Sequence, residues 1–298
     1  MGMGIFFGVL TAVFQTASYF FSRTYLQRTG GAVTLLAASQ LVIAFLSLLA
    51  APWVVPQEAL DWKYLPAVLI TGWGFLIGHF FFFQALKVIE SSRIASLLGL
   101  KVVLVPIFLS LIFKEHFSWG QWCALVLAMG AAMLINYRGG TLFTWKGMGY
   151  FVCALPMYAW SDIGIQMLVR QMPLENNLHA AAVGAIFSNL LVGMTLLPVA
   201  WYKRIKYQQF RNSVPYALCW GLGAVMFFFS YSYIGAAFGN VVQATRGPMS
   251  LLTGIILARM GWSWLEERVT VRIWIFRAVA SLMMFGAIVL YACFKSAS

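Results

Sequence analysis

Two stretches decide the reading: SSRIASLLGLKVVLVPIFLSLIF, Ser91 to Phe113, and AAFGNVVQATRGPMSLLTGIILA, Ala236 to Ala258. Displaced by 145 positions, they superpose Lys101 on Arg246. Each is an apolar run long enough to span a bilayer, and each carries a permanent cation deep inside it. A charge at that depth costs at least about 2.5–3.5 kcal/mol, so it normally faces a polar cavity or a partner. One such cation in each half of the chain reads as the anion-facing part of a binding site.

The composition agrees. Of 298 residues, 62% are hydrophobic and 9% charged, against about 25% charged in an average soluble domain. Mean hydropathy is +0.84. The excess of Lys and Arg, 20 against 8 Asp and Glu, sits mostly between the apolar runs. Membrane topology and anionic headgroups explain it better than nucleic acid does. Cys123, Cys153, Cys219 and Cys293 fall singly in apolar runs without CxxC spacing or a His companion. They read as packing residues, with no metal or disulfide site expected. The first run opens without a basic n-region or a small-residue cleavage site, so it is expected to be a retained span.

Runs of about 20 residues suit a hydrocarbon layer of roughly 30 Å. They predict spans near Gly2–Ser22, Val33–Val54, Tyr64–Leu86, Ser91–Phe113, Gln121–Tyr137, Gly147–Val169, Leu178–Tyr202, Val214–Ile234, Ala236–Met260 and Ile273–Phe294. The links before the fourth and ninth are tight. The runs are continuously apolar, not alternating, which favours helices over a barrel.

The two halves echo each other. Gly2-Met3-Gly4 returns as Gly147-Met148-Gly149, Ser39-Gln40-Leu41 as Ser188-Asn189-Leu190, Phe82-Phe83 as Phe227-Phe228, and Gly130-Ala131 as Gly286-Ala287. Five spans per copy is an odd number, so the second copy enters the membrane from the opposite side. The expected fold is all-α and polytopic, ten transmembrane helices in two inverted five-helix repeats, residues 1–143 and 144–298, with a site near the midplane between them.

These features resemble the drug/metabolite transporter superfamily in its EamA-like ten-helix form. The resemblance rests on Ala85-Leu86, the small residues Ser91, Ser92, Ala95 and Ser96, Pro106 and Glu115. In the second half it rests on Pro248 and on Glu266 or Glu267. It implies a helix bundle whose central cavity opens alternately to each side for a metabolite. The sugar-phosphate branch is similar in placing cations on the fourth and ninth spans, but it pairs them where this chain has Arg246 followed by Gly247.

Lys101 and Arg246 are the first candidates for substrate binding, since both present donors suited to carboxylate or phosphate. Gln243, one turn before Arg246, joins them, as do Tyr19, Trp160 and Tyr231 from the aromatic set that also includes Trp73, Tyr158 and Tyr233. For all of these, helix packing is the plainer alternative. Asp162 is the one acid inside a predicted span. It reads as counter-ion, proton carrier, ligand for an amino group, or half of a static salt bridge. His79 reads as a proton shuttle or a packing histidine. Gln15, Gln40, Gln84 and Asn189 read as amides bonding helix to helix. Pro106, Gly247 and Pro248 are candidate hinges, and Arg277 is expected to reach the interface.

No GxxxxGK[ST], GxSxG or HExxH motif occurs. The chain is expected to be no enzyme and to need no cofactor or metal. It reads as a secondary transporter for a small, anionic, carboxylate- or phosphate-bearing metabolite, in a bacterial cytoplasmic membrane, with its oligomeric state open. An exporter of amino acids or amphipathic aromatic metabolites and a lipid-phosphate flippase are the alternatives. Anion exchange is preferred to proton coupling because neither His79 nor Asp162 has a match in the other half. Loops after odd-numbered spans, together with Arg93 and Arg259 at the adjoining span ends, hold 13 of the 20 Lys and Arg residues, against 4 in the other loops and the C-terminal tail. The positive-inside rule then places both termini outside, whereas ten-helix relatives are usually drawn with both in the cytoplasm.

Overall fold

A computed structural model describes residues 1–29, 31–88, 98–135, 148–172, 174, 176–259 and 271–296. Helices follow one another as α1 (Gly2–Arg28), α2 (Ala32–Val54), α3 (Leu65–Leu86), α4 (Lys101–Phe113), α5 (Trp119–Ile135), α6 (Met148–Gln171), α7 (Asn177–Tyr202), α8 (Tyr207–Gln243), α9 (Arg246–Arg259) and α10 (Val271–Ser296). No strand occurs among the described residues. Seven helices are long and apolar enough to cross a membrane, and Leu98–Phe113 and Trp119–Leu134 form shorter apolar ones. Ser91, Ser92, Ala95, Ser96, Gly147, Glu266, Glu267 and the linker 138–146 lie outside the described residues, as does the side chain of Arg277.

Most boundaries match the expected spans to within a few residues. The exceptions are the end of α1, which runs six residues past Ser22 to Arg28, and the stretches around the two cations. The fourth apolar run enters α4 only at Lys101, after a 3-10 turn at Leu98–Leu100. The eighth and ninth runs redistribute. Helix α8 starts early, at Tyr207, where the side chain of Gln209 accepts from the Lys206 amide at 2.9 Å. It then continues past Ile234 to Gln243 with one interruption, Gly235 (φ 74°, ψ 167°). The expected tight link is that single glycine, in a conformation only glycine adopts readily. The ninth run breaks at Ala244–Thr245, so Arg246 opens α9.

Pro248 explains the second break. A proline removes its own amide donor and crowds the carbonyl four residues earlier, here that of Ala244. The Thr245 hydroxyl also turns back to the Val242 carbonyl at 2.7 Å. Gly247 and Pro248 therefore occupy the first turn of α9, where the missing donor costs nothing, and not a bend in mid-helix. The bend lies one turn upstream.

The main pairings are α1 with α8, α3 with α6, α2 with α7 and α5 with α10. At the α3–α6 crossing the backbones meet. A β-carbon on Gly164 would lie 2.6 Å from the Thr71 amide nitrogen, and one on Gly74 would lie 2.9 Å from the Met157 carbonyl. Small residues at such crossings allow close packing in a membrane, where the hydrophobic effect does not drive helices together. Gly164→Val is expected to destabilise by about 3 kcal/mol or more, the upper end for overpacking. Its folded yield and melting temperature in detergent check this.

The polarity runs opposite to that of a soluble protein. Trp53 and Trp201 are 83% and 85% exposed, whereas Gln15, His79, Lys101, Asp162, Asn240, Gln243 and Arg246 are buried. Bilayer hydrocarbon suits such an exterior. Cys123, Cys153 and Cys293 lie on that outer surface instead of packing inside, and Cys219 is half-buried. Both described chain ends share one end of the bundle: the Gly4 carbonyl accepts from Ser230 and the Ile234 carbonyl from Lys295. Thr29 and Asn212 bond at 3.1 Å at the other end, beside the basic segment Lys203–Arg211.

Candidate functional site

Lys101 is the first residue of α4 and points at α6. Its Nζ lies 2.9 Å from Asp162 Oδ2, with side chains only 6% and 4% exposed. The same carboxylate oxygen accepts from Asn240 Nδ2 at 2.9 Å. Asn240 also donates to the Tyr231 hydroxyl and, at 3.0 Å, to the Ala236 carbonyl. The ring of Phe227 lies 5.0 Å from the Lys101 ammonium, within cation–π range. Asp162 thus serves as counter-ion to one cation.

Arg246 opens α9 and is 2% exposed. Its Nη1 donates to Gln15 Oε1 at 3.2 Å, and Gln243 Nε2 donates to the same oxygen at 2.8 Å. Gln15 and Tyr19 stand one turn apart on α1, so both reach the site. The two cations also begin helices at this point. At the start of α9 the amides of Ala244, Thr245, Gly247 and Met249 keep backbone partners across the break, so the side chain of Arg246 supplies the charge that faces the site.

These groups wall one cavity of about 70 Å³. That is room for a few waters. Lys101, Arg246 and Asp162 are its charged lining, a formal balance of +1. Gln15, Gln243, Asn189, Ser161 and Ser188 add polar groups, and Phe75, Tyr158 and Trp220 form an aromatic side, with Phe75 and Trp220 stacked at 5.6 Å.

His79 sits just behind that aromatic side. Its Nε2 meets the Tyr216 hydroxyl and its Nδ1 the Tyr158 hydroxyl, both at 2.6 Å. It is completely buried, between Phe75 and Trp220 at 4.3 Å each. This is the geometry of a fully bonded packing histidine, separated from the cavity by Phe75, Tyr158 and Trp220.

Of the residues expected at the site, Lys101, Arg246, Gln243, Tyr19 and Asp162 share this cavity. Tyr231 stands one residue back, bonded to Asn240. Trp160 does not reach it. It is 40% exposed and packs edge-on against Phe108, because residues two apart on a helix point to opposite faces and Asp162 points inward. Trp73 and Tyr233 likewise face outward. Pro106 lies inside α4, on a buried face. Sequence reasoning missed Asn240, Phe75 and Trp220. The signal available for Asn240 was its position three residues before Gln243 in a run of small residues.

Residues 2–137 match the model of the EamA-like transporter family. The EamA-like resemblance holds. A second likeness falls on an "Uncharacterized transporter YdfC" of Bacillus subtilis (strain 168), 27% identical over 130 residues, which is 42% of this chain and 41% of that protein. A solved crystal structure whose name gives no function aligns over 94% of this chain and 95% of its own, with a TM-score of 0.58 and 17% identity. That likeness is one of fold alone. The EamA-like match and the seven apolar helices together make the chain an integral, multi-pass membrane protein.

Proposed function

We propose that this protein is a secondary transporter that moves a small organic anion by alternating access. One observation carries the reading: a small cavity lined by two cations, Lys101 and Arg246, and a single acid, Asp162. The excess positive charge calls for a negative ligand. The aromatic side formed by Phe75 and Trp220 favours a carboxylate or phosphate on a partly apolar body over a compact, strongly hydrated ion.

Two five-helix halves, 1–143 and 144–298, fit the pairing pattern. Exchanging α1–α5 with α6–α10 turns the α1–α8 pair into α6–α3, and leaves α2–α7 and α5–α10 as themselves. The family match to residues 2–137 covers one such half. In this reading the chain crosses the membrane ten times, α4 and α9 being the short cavity-facing elements. Among the described residues, the basic segment Lys203–Arg211 lies beside the end of α1, and both termini lie at the other end of the bundle, which supports termini outside under the positive-inside rule. Side-specific tags on both termini check the orientation. A tag read in the cytoplasm contradicts it.

The charge of the substrate is tested by thermal shift on the purified protein with panels of organic anions, amino acids and cationic drugs. A ligand that binds only the folded state at 100 times its Kd adds about 2.7 kcal/mol of apparent stability. Stabilisation is expected from carboxylates or phosphates. Stabilisation by cations alone contradicts the reading.

A further inference from the structure

Gly235 is the sole residue with positive φ inside a helix among the described residues. A break there leaves the Ile234 carbonyl and the Ala236 amide outside the helical ladder, and a buried backbone group needs a partner. Both find one on another helix. Lys295 of α10 donates to the Ile234 carbonyl. The Ala236 amide donates to Gln166 Oε1 of α6 at 2.7 Å. Gln166 Nε2 in turn donates to Glu115 Oε1 at 3.0 Å, and that oxygen pairs with Arg170 Nη1 at 2.7 Å. Glu115 follows α4, the helix that carries Lys101.

Beyond the break the chain of bonds continues inward. The Ala236 carbonyl accepts from Asn240, Asn240 donates to Asp162, and Asp162 pairs with Lys101. One connected set therefore runs from Glu115 and Arg170, with side chains 26% and 56% exposed, to an ion pair 6% and 4% exposed. The segment between, Ala236 to Gln243, is buried throughout and carries Asn240 and Gln243 to the cavity.

We propose that Gln166 is a positioning residue that pins a hinge at Gly235, and that Glu115, Gln166 and Lys295 form a latch closing the cavity toward the end of the bundle that bears the termini. The inference rests on the alternating-access reading above. A cap of purely local purpose needs one neighbour. This one draws on three elements distant in sequence and ends on the residue that holds Lys101. An anion that takes Lys101 from Asp162 loosens Asn240, and with it the segment whose first amide Gln166 holds. The latch then releases, and the segment swings about the glycine.

The test needs no substrate. A Ser188→Cys reporter lines the cavity in a protein whose four native cysteines are replaced, and a membrane-impermeant maleimide is added to either face of sealed vesicles. With the latch intact, labelling from the terminus-bearing face is slow. Gln166→Ala is expected to raise it at least tenfold on that face alone. Gln166→Glu, which keeps the oxygen toward Ala236 but loses the donor to Glu115, gives an intermediate rate. Lys295→Met, at the half-buried end of α10, raises the rate to a smaller extent and guards against misfolding of the buried variants. Parental rates in both Gln166→Ala and Lys295→Met, in protein that elutes as a single species, overturn the latch alone. A parent labelled equally fast from both faces is an open pore, and overturns alternating access and the latch together.

Discussion

Arg246→Gln is expected to abolish transport and the stabilisation produced by an anionic ligand. The substitution keeps a polar side chain at the start of α9 but takes the cavity's formal balance from +1 to zero. Gln15 and Gln243 remain to bond one another, so the fold survives. What disappears is a charged fork in a water-poor pocket, where removing one side of a charged contact costs about 2–5 kcal/mol. At 1.4 kcal/mol per factor of ten, a loss of about 30-fold or more in affinity is expected. Lys101→Gln has a similar effect on transport with an added cost in stability, because Asp162 then loses its counter-charge. Ligand titrations on the purified variants measure both. Arg246→Gln binding within threefold of the parent removes this residue from the site.

Asp162→Leu should be the most destabilising single change in the cavity. It leaves the Lys101 ammonium buried without its counter-charge, beside the rings of Phe227 and Tyr158. Breaking a buried ion pair on one side costs about 3–5 kcal/mol, whereas replacing both partners with apolar groups is often neutral. Lys101→Met with Asp162→Leu should therefore recover most of the stability and none of the transport. Thermal unfolding in detergent gives the first readout, and uptake into proteoliposomes the second. If the double variant transports at the parental rate, the pair is only a brace between α4 and α6. If Asp162→Leu alone costs less than about 1 kcal/mol, the pair is worth no more than an exposed one.

The membrane character, most span limits and the convergence of Lys101 with Arg246 were legible in the sequence, because apolar run length and intramembrane charge are strong signals. Asp162 was legible as a counter-ion for the same reason, being the one acid in a predicted span. The helix breaks were less so. Hydropathy averages over a window and passes straight across Gly235 and Ala244–Thr245. Only the steric demands of glycine and of Pro248 mark them, and a proline acts one turn upstream of where it stands. Trp160 went astray because aromatic content was weighed without helical phase. Tyr158, four residues before Asp162, shares its face and lines the cavity, while Trp160 does not. Asn240 was legible only through its spacing from Gln243, and Gln166 not at all. Their importance comes from backbone groups exposed by the break at Gly235, and nothing local in the sequence announces that.

The account stands or falls on counterflow in proteoliposomes. Vesicles holding the purified protein are loaded with an unlabelled organic anion that raises its melting temperature, the labelled form is added outside, and the proton gradient is collapsed. Labelled anion is predicted to accumulate transiently in vesicles with the parent protein and not at all with Lys101→Gln combined with Arg246→Gln. Counterflow by the double variant at the parental rate, or counterflow of cations and none of anions, contradicts the account.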